Sequence, residues 1–503
     1  MRHRFLLAAS LIFLALTTAV FAARRPPAAR RSVAPTPAPA SAEAPAAPTS
    51  DGPAFSAEKL AQAEKIVNDP LLRGARASFL VQHLASGKRV FERDPDVACS
   101  PASTNKLITG AAAFAVLGPT YRFKTRVFAD SRPDGRGVIH GNLYLVGGGD
   151  PLLVQEQAWA LAHNLHLLGV RRVAGSLVGD DSFHDSTRYY REWGPQNFHA
   201  YKAPLGALSM NFNTVFFWVR PGPKIGAPAT VELDPQPDGL SVGGSVQTVA
   251  GRVNHTTLAY NDQSATIGGF VGLDTAPDPA RQAIGDPLTF SLGVFRNLLR
   301  KEGIEVDGAS VGGKTPSQAP FLCEHESPEL SQILRELYRF SNNFTAEQIL
   351  RTLGAVKFGP PGSRENGAAA VVDWLKQENL WRDGVVVVDG SGLARENKQT
   401  AASMVGVLVW MAKNPRLFPE YLDAQAIAGV DGTLRHRFRK SPLLGRVRAK
   451  TGFINNVVGL GGYCYDARGE MYAFSALIND YKGNAGARGP QHLTEELLEV
   501  LMK

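Results

Sequence analysis

A serine and a lysine lie three positions apart, as Ser103 and Lys106, in the segment SPASTNKLITGAAAF. Residues three apart share one face of a helix, so the lysine amine would lie beside the serine hydroxyl. A lysine that is desolvated at a helix start has a lowered pKa and can accept a proton near neutral pH. The pair predicts a nucleophilic serine with a lysine base, and the helix start offers the backbone N–H of Ser103 to an oxyanion.

A Ser-x-x-Lys pattern also arises by chance, and this chain has a second copy from Ser56 to Lys59. Ser56 is typical of an N-cap and Glu58 favours a helix start, so this copy predicts the beginning of a helix over 56–68. The chemistry predicted at Ser103 therefore depends on partners elsewhere in the chain. Acyl transfer by such a pair needs a proton relay to the leaving group and groups that hold the substrate.

Two later motifs supply those groups in the required order. Ser341 and Asn343 stand before a helical pattern in RFSNNFTAEQIL. Lys450, Thr451 and Gly452 end a strand-like run in VRAKTGFINN. Each motif alone is weak, but three ordered motifs with matching local structure predict a single active site.

Four other segments imitate functional patterns and have simpler interpretations. Ser209 and Asn211 also fit Ser-x-Asn, but they lie in a β-rich region. Residues 389–391 do not complete a nucleophile-elbow motif and predict a turn at the active-site rim. The acidic segment 180–185 and the glycines of 147–151 predict loops rather than a metal site or a phosphate loop. The sequence indicates neither a metal nor a cofactor.

The elements that must position the three motifs divide the chain into parts. Helical and strand patterns over 54–121 and 283–503 predict one discontinuous α/β domain. Short β-branched runs cut by Gly, Pro, Asn and Asp over 122–282 predict a β-rich insertion of two subdomains. The main elements predicted after the insertion are helices over 287–302, 329–353, 367–378 and 401–414, strands over 457–465 and 471–478, and a terminal helix that caps a sheet.

The N-terminal region differs in composition from the rest of the chain. Arg2 and Arg4 precede an apolar run that ends in Val20-Phe21-Ala22, a signal-peptidase pattern. Residues 1–22 therefore predict a signal peptide, with an uncleaved anchor as the alternative. Residues 23–53 are rich in Ala, Pro, Ser and Arg and predict a disordered linker. We expect the protein to be exported.

Charge and cysteine content argue against several classes of site. Six arginines and no acidic residue lie in the first 31 positions, so they supply most of the formal net charge of +8. The remainder is nearly neutral, which argues against nucleic-acid binding and leaves the linker only weak attraction to an anionic envelope surface. Cys99, Cys323 and Cys464 show no C-x-x-C spacing and predict neither a zinc site nor a disulfide framework. The sequence does not decide whether two of these cysteines form one disulfide in an oxidising compartment.

The blocks around the three motifs resemble those of the DacB-type, class C low-molecular-mass penicillin-binding proteins. That family comprises D-alanyl-D-alanine carboxypeptidases and endopeptidases of bacterial peptidoglycan. The resemblance implies a mixed α/β (α+β) fold with a penicillin-recognising core, an antiparallel sheet with helices on both sides, and β-rich domains inserted between the first two motifs. The matching blocks span about residues 77–478 and read, in chain order, PASTNKLIT, LYLVGGGDPLL, APLGALSMNFNTV, SNNFTAEQIL, VVDGSGLARENKQT, GVDGTLRHRF and RAKTGF.

The resemblance also implies a role for each motif residue. Ser103 would be the acylated nucleophile, Lys106 its base, and Ser341 the relay that carries a proton to the leaving group. Asn343 would hold the amide on the acyl side of the substrate. The residues implied in binding the terminal carboxylate, or the carboxylate of a β-lactam, and in supplying a second oxyanion N–H are Lys450, Thr451, Gly452 and Phe453.

The chain departs from the family pattern at two positions. Asn342 stands where the family often has Asp, and its side chain is not expected to face the substrate. Phe453 stands where many relatives have Ser or Thr. Loss of that hydroxyl removes a hydrogen bond to a carboxylate, worth about 1.5–3 kcal/mol when the acceptor is charged. We expect acylation to survive and carboxypeptidase efficiency to suffer.

The sequence thus predicts a peptidoglycan DD-peptidase that acts on D-Ala-D-Ala peptides or on cross-links and also binds β-lactams, without a cofactor. Export places it in the periplasm or at the outer face of the cell wall. A serine β-lactamase is an alternative, although the large insertion and the lack of a recognisable deacylating Glu argue against it. A non-catalytic wall-binding or β-lactam-sensing protein is the other. The balance of the two peptidase activities, the stem-peptide diamino acid and the oligomeric state stay open.

Overall fold

The computed structural model describes residues 55–195, 198–260, 264–277, 279–481 and 488–503. The predicted signal peptide (1–22) and linker (23–53) lie outside the described residues. Within the part of the chain that is described, no helix is both long enough and apolar enough to cross a membrane.

The helices and strands alternate along the chain in a mixed α/β order. The helices are α1 (Ala57–Val67), α2 (Asn105–Val116), α3 (Gln155–Leu167), α4 (Pro287–Lys301), α5 (Leu330–Phe340), α6 (Asn343–Phe358), α7 (Arg364–Gln377), α8 (Ala401–Ala412), α9 (Phe418–Ala424) and α10 (Arg488–Met502). The strands are β1 (Arg76–His83), β2 (Arg89–Arg93), β3 (Lys124–Ala129), β4 (Val138–Ile139), β5 (Leu143–Val146), β6 (Arg172–Val173), β7 (Leu177–Asp180), β8 (Thr214–Arg220), β9 (Thr230–Asp234), β10 (Ser241–Gly244), β11 (Gln247–Val249), β12 (Asn254–Tyr260), β13 (Ser264–Gly272), β14 (Ala280–Ala283), β15 (Glu305–Val306), β16 (Ser310–Gly312), β17 (Phe321–Glu326), β18 (Ala426–Ile427), β19 (Val447–Ile454), β20 (Val457–Tyr465) and β21 (Met471–Asn479).

An antiparallel sheet in the order β18-β19-β20-β21-β1-β2 joins both ends of the described chain. Strands β20 and β21 are buried along almost their whole length, which is why their sequences are continuous apolar runs. Helices α2, α5, α6, α7 and α8 pack on one side of the sheet, and α1 and α10 pack on the other. The predicted antiparallel sheet with helices on both sides is confirmed.

The helical pattern predicted over 329–353 forms two helices rather than one. Chain direction changes at Ser341, whose φ of 58° is left-handed and ends α5. The side chain of Asn342 then accepts a hydrogen bond from the backbone N–H of Thr345 at 3.2 Å and caps α6. A polar cap can begin a new helix within an otherwise helical pattern, and here the break exposes the Ser-x-Asn motif.

The inserted region contains several small sheets and a helix. Strands β16-β7-β5-β3-β17 form one sheet and β15-β6-β4 another, while β14-β8-β9 and β10 to β13 form two more. The prediction of a β-rich insertion did not include α3, which packs its apolar face into the same core as β3, β5 and β7.

Strand pairing places the end of this insertion later than the predicted boundary at 283. Strands β15, β16 and β17 follow that boundary, yet they pair with β6, β7 and β3. Helix α4 likewise packs Phe290, Leu292 and Val294 into the core of the inserted strands. A helical pattern predicts that one face is buried but does not identify the element that covers it. The elements that pack with the large sheet resume after about Ser327, beginning with α5.

Local predictions at the two ends of the fold hold. The Ser56 side chain accepts from the backbone N–H of Lys59 and caps α1, so the first Ser-x-x-Lys pattern is a helix start. The terminal helix α10 buries Leu493, Leu497 and Leu501 against the sheet. All three cysteines are free, so the bridge left open by the sequence is not formed.

Candidate active site

Ser103 lies in a 3₁₀ turn, Ala102–Thr104, that leads directly into α2. Ala102 has a φ of 45°, a left-handed conformation that costs a non-glycine residue on the order of 1–3 kcal/mol. The turn is packed against two glycines, because a Cβ on Gly392 would overlap the Ala102 carbonyl oxygen and one on Gly452 would crowd the same turn. The glycine of the third motif therefore lets β19 approach the nucleophile turn.

The amine of Lys106 has three hydrogen-bond partners, all oxygen atoms. They are Ser103 Oγ at 2.9 Å, Asn343 Oδ1 at 2.8 Å and the backbone oxygen of Ser391 at 2.7 Å. The two carbonyl oxygens can only accept, so a neutral amine places its two hydrogens on them. Its lone pair then points at the hydroxyl of Ser103, which is the orientation that a base requires.

The surroundings of Lys106 also favour its neutral form. The side chain is fully buried, and this burial lowers its pKa to about 7. The negative charges of Asp389 and Glu347 act in the opposite direction and limit the shift. A large fraction of Lys106 is therefore neutral near pH 7, in agreement with the predicted role of a base.

Ser341 is linked to the third motif by a second buried lysine. Lys450 Nζ lies 2.8 Å from Ser341 Oγ and 2.8 Å from the backbone oxygen of Thr451. Burial lowers the pKa of Lys450 well below its ordinary value, and the nearby charge of Lys106 lowers it further. The left-handed φ of Ser341 turns the chain so that its side chain meets β19.

The first turn of α6 positions Asn343 between the nucleophile and the inserted region. Its side-chain oxygen accepts from Lys106, and its amide nitrogen donates to the backbone oxygen of Tyr201 at 3.0 Å. Asn342 points away and caps the helix, as expected from the sequence. An Asp at position 342 would cap the helix in the same way, because both side chains accept from a backbone N–H.

The third motif lies within β19 rather than at its end, because the strand continues to Ile454. Strand β18 pairs only with Arg448 and Ala449, so β19 is open on that side from Lys450 onward. Thr451 Oγ1 donates to Thr433 Oγ1 at 2.8 Å. Phe453 is 54% exposed at the open part of the strand.

A cleft of about 660 Å³ opens over these residues. Ser103, Ser341, Asn343 and Phe453 line it. Of the other predicted residues, Lys106 and Lys450 lie beneath it and contact Ser103 and Ser341. The structure thus brings the three sequence motifs together at one cleft.

The cleft also contains groups that sequence reasoning missed. The Ser391 carbonyl contacts Lys106, and Trp193, Tyr201 and Arg395 line the cleft. The segment around Ser391 was predicted to form a turn at the rim of the active site. Its contact with Lys106 is made by a backbone oxygen, so no side chain in the sequence could indicate it. Ser391 itself is fully buried, which excludes it as an exposed nucleophile. Among the described residues, no group of three or more His, Cys, Asp or Glu side chains is arranged to hold a metal ion.

Comparisons with known proteins agree with this geometry. The chain is 34% identical over 446 residues to a D-alanyl-D-alanine carboxypeptidase of Actinomadura sp. (strain R39), covering 84% of this chain and 81% of that protein. The crystal structure of penicillin binding protein 4 (dacB) from Haemophilus influenzae matches with a TM-score of 0.74 and 25% identity, covering 86% of this chain and 97% of the other. The same protein complexed with a novel beta-lactam matches with a TM-score of 0.70 and 24% identity, covering 87% and 98%.

The family model described as D-Ala-D-Ala carboxypeptidase 3 (S13) matches residues 59–498. That range includes most of α1, the inserted sheets and all three motifs. It confirms the resemblance and the enzyme class that the sequence predicts. With most of its length matched, the chain belongs to the D-Ala-D-Ala carboxypeptidase 3 (S13) family.

Proposed function

We propose that this protein hydrolyses the D-Ala-D-Ala bond of peptidoglycan peptides, and the corresponding cross-links, through an acyl-enzyme on Ser103. The observation that supports this most directly is the geometry at Lys106, whose amine faces Ser103 Oγ and is held by two carbonyl oxygens. A base oriented in this way and with a pKa near 7 activates a serine at neutral pH.

The reaction has two halves. In the first, Lys106 takes the proton of Ser103, the serine oxygen bonds to the carbonyl carbon, and the backbone N–H groups of Ser103 and Phe453 stabilise the oxyanion. The C–N bond then breaks, and Ser341 relays a proton to the leaving amine. In the second half, water attacks the ester, and cleavage of the ester bond returns the serine hydroxyl and releases the acid product.

The remaining residues hold the substrate. Asn343 binds the amide on the acyl side, and Lys450 with Thr451 binds the terminal carboxylate, with Gly452 giving β19 its close approach to the nucleophile turn. A β-lactam presents an amide, a strained carbonyl and a carboxylate in a similar order, so the same groups hold it. The protein acts outside the cytoplasm on this proposal, specifically in the periplasm or at the outer wall face, with weak envelope contact through the basic linker.

Reaction with a fluorescent penicillin tests the proposal. The purified protein should form a stable adduct whose labelled peptide contains Ser103, while Ser103→Ala should form none. Purified muropeptides then measure release of D-Ala against cleavage of cross-links. Absence of an adduct with folded wild-type protein would contradict the proposal and support a non-catalytic wall-binding protein. Rapid turnover of the drug without a lasting adduct would support a serine β-lactamase.

A further inference from the structure

Glu347 is a fully buried acidic residue beneath the cleft. It lies on α6 one turn after Asn343, so both side chains project from the same face of the helix. Its two oxygens accept hydrogen bonds from the backbone N–H groups of Gly390 at 3.1 Å and Ser391 at 2.8 Å. A buried carboxylate usually pairs with a cation, but this one holds a loop.

The loop that Glu347 holds is the one that contacts the base. The backbone oxygen of Ser391 accepts from Lys106 Nζ at 2.7 Å. Thus one residue, Ser391, donates its N–H to Glu347 and offers its carbonyl to Lys106. A shift of this loop would move one of the two oxygens that orient the amine of Lys106.

A second buried carboxylate fixes the other end of the same loop. Asp389 accepts from the backbone N–H groups of Gly392 at 2.7 Å and Ala394 at 2.8 Å. Its side chain also accepts from Asn397 Nδ2 at 2.8 Å and from Trp193 Nε1 at 3.1 Å. Asp389 anchors the loop within itself and to the inserted region, and Asn105 and Thr109 of α2 donate to the backbone oxygens of Asp389 and Gly390. Glu347 adds side-chain hydrogen bonds between the loop and the helix that bears Asn343.

We propose that Glu347 is a positioning residue for Lys106: it holds the Ser391 carbonyl in the place that directs the lone pair of Lys106 at Ser103. Asn343 and Glu347 then act from one helix on the same amine, the first directly and the second through the loop. This proposal rests on the proposed function, in which Lys106 is the base that activates Ser103.

The charge of Glu347 adds a measurable effect. Its carboxylate is among the negative charges that raise the pKa of Lys106, while burial and the charge of Asp389 raise the pKa of Glu347 itself. The backbone N–H groups of Gly390 and Ser391 oppose that rise and favour the ionised carboxylate, since each donates to one of its oxygens. The other ionisable groups near this pair are Lys450 on β19, which lies near Lys106, and Tyr190 of the inserted region, which lies near Glu347 and near Arg351 of α6 itself. Removal of the charge of the Glu347 carboxylate should lower the pKa of Lys106.

The test is the pH dependence of acylation in Glu347→Gln. The substitution keeps the shape of the side chain but presents an NH₂ group to one of the two loop N–H donors, and it removes the charge. We expect the maximal rate of acylation by a fluorescent penicillin to fall about tenfold to hundredfold, as a displaced base would cause. We also expect the acidic limb of the pH profile, measured from pH 5 to 9, to move to lower pH.

Two further variants separate positioning from a purely structural role. Thr352→Val is the matched control, because Thr352 is a fully buried polar residue of α6 whose side chain faces His184 and not the loop. It should change neither the maximal rate of acylation nor the position of the acidic limb of the pH profile. Glu347→Asp keeps the charge but shortens the reach, so it should lower the rate while its limb stays close to that of wild type.

The outcomes distinguish this proposal from the function on which it rests. If wild type is acylated and Glu347→Gln matches it in both rate and pH profile, the proposed role of Glu347 is wrong. It is also wrong if Glu347→Gln and Thr352→Val lose the same activity with no movement of the limb. A folded wild type that forms no adduct on Ser103 would overturn the proposed function instead. If Glu347→Gln does not fold, Glu347→Asp decides, and an unchanged rate in that variant contradicts the proposal.

Discussion

Two lysines at the bottom of one cleft have similar contacts and different electrostatic surroundings. Lys106 and Lys450 are both fully buried, and each amine lies within 2.9 Å of a serine hydroxyl. Lys106 also faces the charges of Asp389 and Glu347, which raise its pKa against the effect of burial. The charge that acts on Lys450 is that of Lys106, which lowers its pKa further.

This difference supports the different roles that the proposed function gives to the two lysines. Burial disfavours the charged form of both, but the buried carboxylates hold the pKa of Lys106 near 7, where a base is most effective. Among the residues that the structure describes, no carboxylate acts on the pKa of Lys450 in this way, and on the proposed function the substrate supplies that charge with its own carboxylate. On the proposed function, equal burial therefore yields a base in Lys106 on α2 and a carboxylate-binding group in Lys450 on β19.

Replacement of each lysine by methionine should have the largest effects and should separate the two roles. Lys106→Met removes the base, and we expect the rate of acylation by a fluorescent penicillin to fall by about 10²–10⁴-fold. Lys450→Met removes a charged hydrogen-bond donor worth about 1.5–3 kcal/mol, so acylation should weaken by roughly tenfold to hundredfold. A time course at several drug concentrations measures both.

The two variants should also differ in kind. Lys450→Met should mainly raise the drug concentration at which acylation reaches half its limiting rate. Lys106→Met should mainly lower the limiting rate itself. Circular dichroism confirms that both are folded. A larger loss in Lys450→Met than in Lys106→Met would contradict the assignment of the two tasks.

The pH profile of the wild-type protein tests the proposed role of Lys106 without mutation. Lys106 must be neutral to accept the proton of Ser103, and its pKa of about 7 places the change at neutral pH. Acylation should therefore be constant above about pH 8 and fall about tenfold for each pH unit well below 7. The same labelling assay in constant-ionic-strength buffers measures it. A profile that stays flat down to pH 5.5 would show that another group is the base.

Phe453→Thr tests whether the carboxylate end of the cleft is weakened in this protein. The new hydroxyl adds a donor beside Thr451, and we expect up to about tenfold lower KM for peptides that end in free D-Ala. The measurement is the release of D-Ala from a D-Ala-D-Ala peptide. The same peptide with its terminal carboxylate amidated is the matched control and should gain nothing. An equal fall in KM for both peptides would show that residue 453 does not act through the terminal carboxylate.

Asn342→Asp is the smallest expected effect and checks that this position belongs to the helix cap. Asp and Asn cap helices about equally well, so the melting temperature should change little. The rate of labelling on Ser103 should remain that of wild type, because the side chain bonds to the backbone of Thr345. A severalfold change in labelling rate would mean that residue 342 reaches the substrate.

Much of the site could be predicted because its parts are local in sequence. Ser103 and Lys106 lie three residues apart, and helix geometry brings them together whatever surrounds them. The Ser-x-Asn motif was recognisable beside its helix, although the left-handed turn at Ser341 was not. The antiparallel sheet was implied by the resemblance, while the apolar runs predicted individual strands such as β20.

The structure altered the predictions that depend on which helices and strands pack against each other. The pattern over 287–302 predicted α4 correctly, yet its apolar face packs on the inserted strands and moves the boundary from 283 to near Ser327. Periodicity shows that a face is buried, but it does not identify the partner.

The amino-acid sequence was enough to predict the Ser103–Lys106 pair, the order of the motifs and the family. The groups that set the pKa of Lys106 became visible only in the folded chain, since the Ser391 carbonyl, Glu347 and Asp389 reach Lys106 from distant parts of the sequence. One helical turn is enough to bring a serine and a lysine together. The pKa of that lysine depends instead on burial and on charges that only folding brings close.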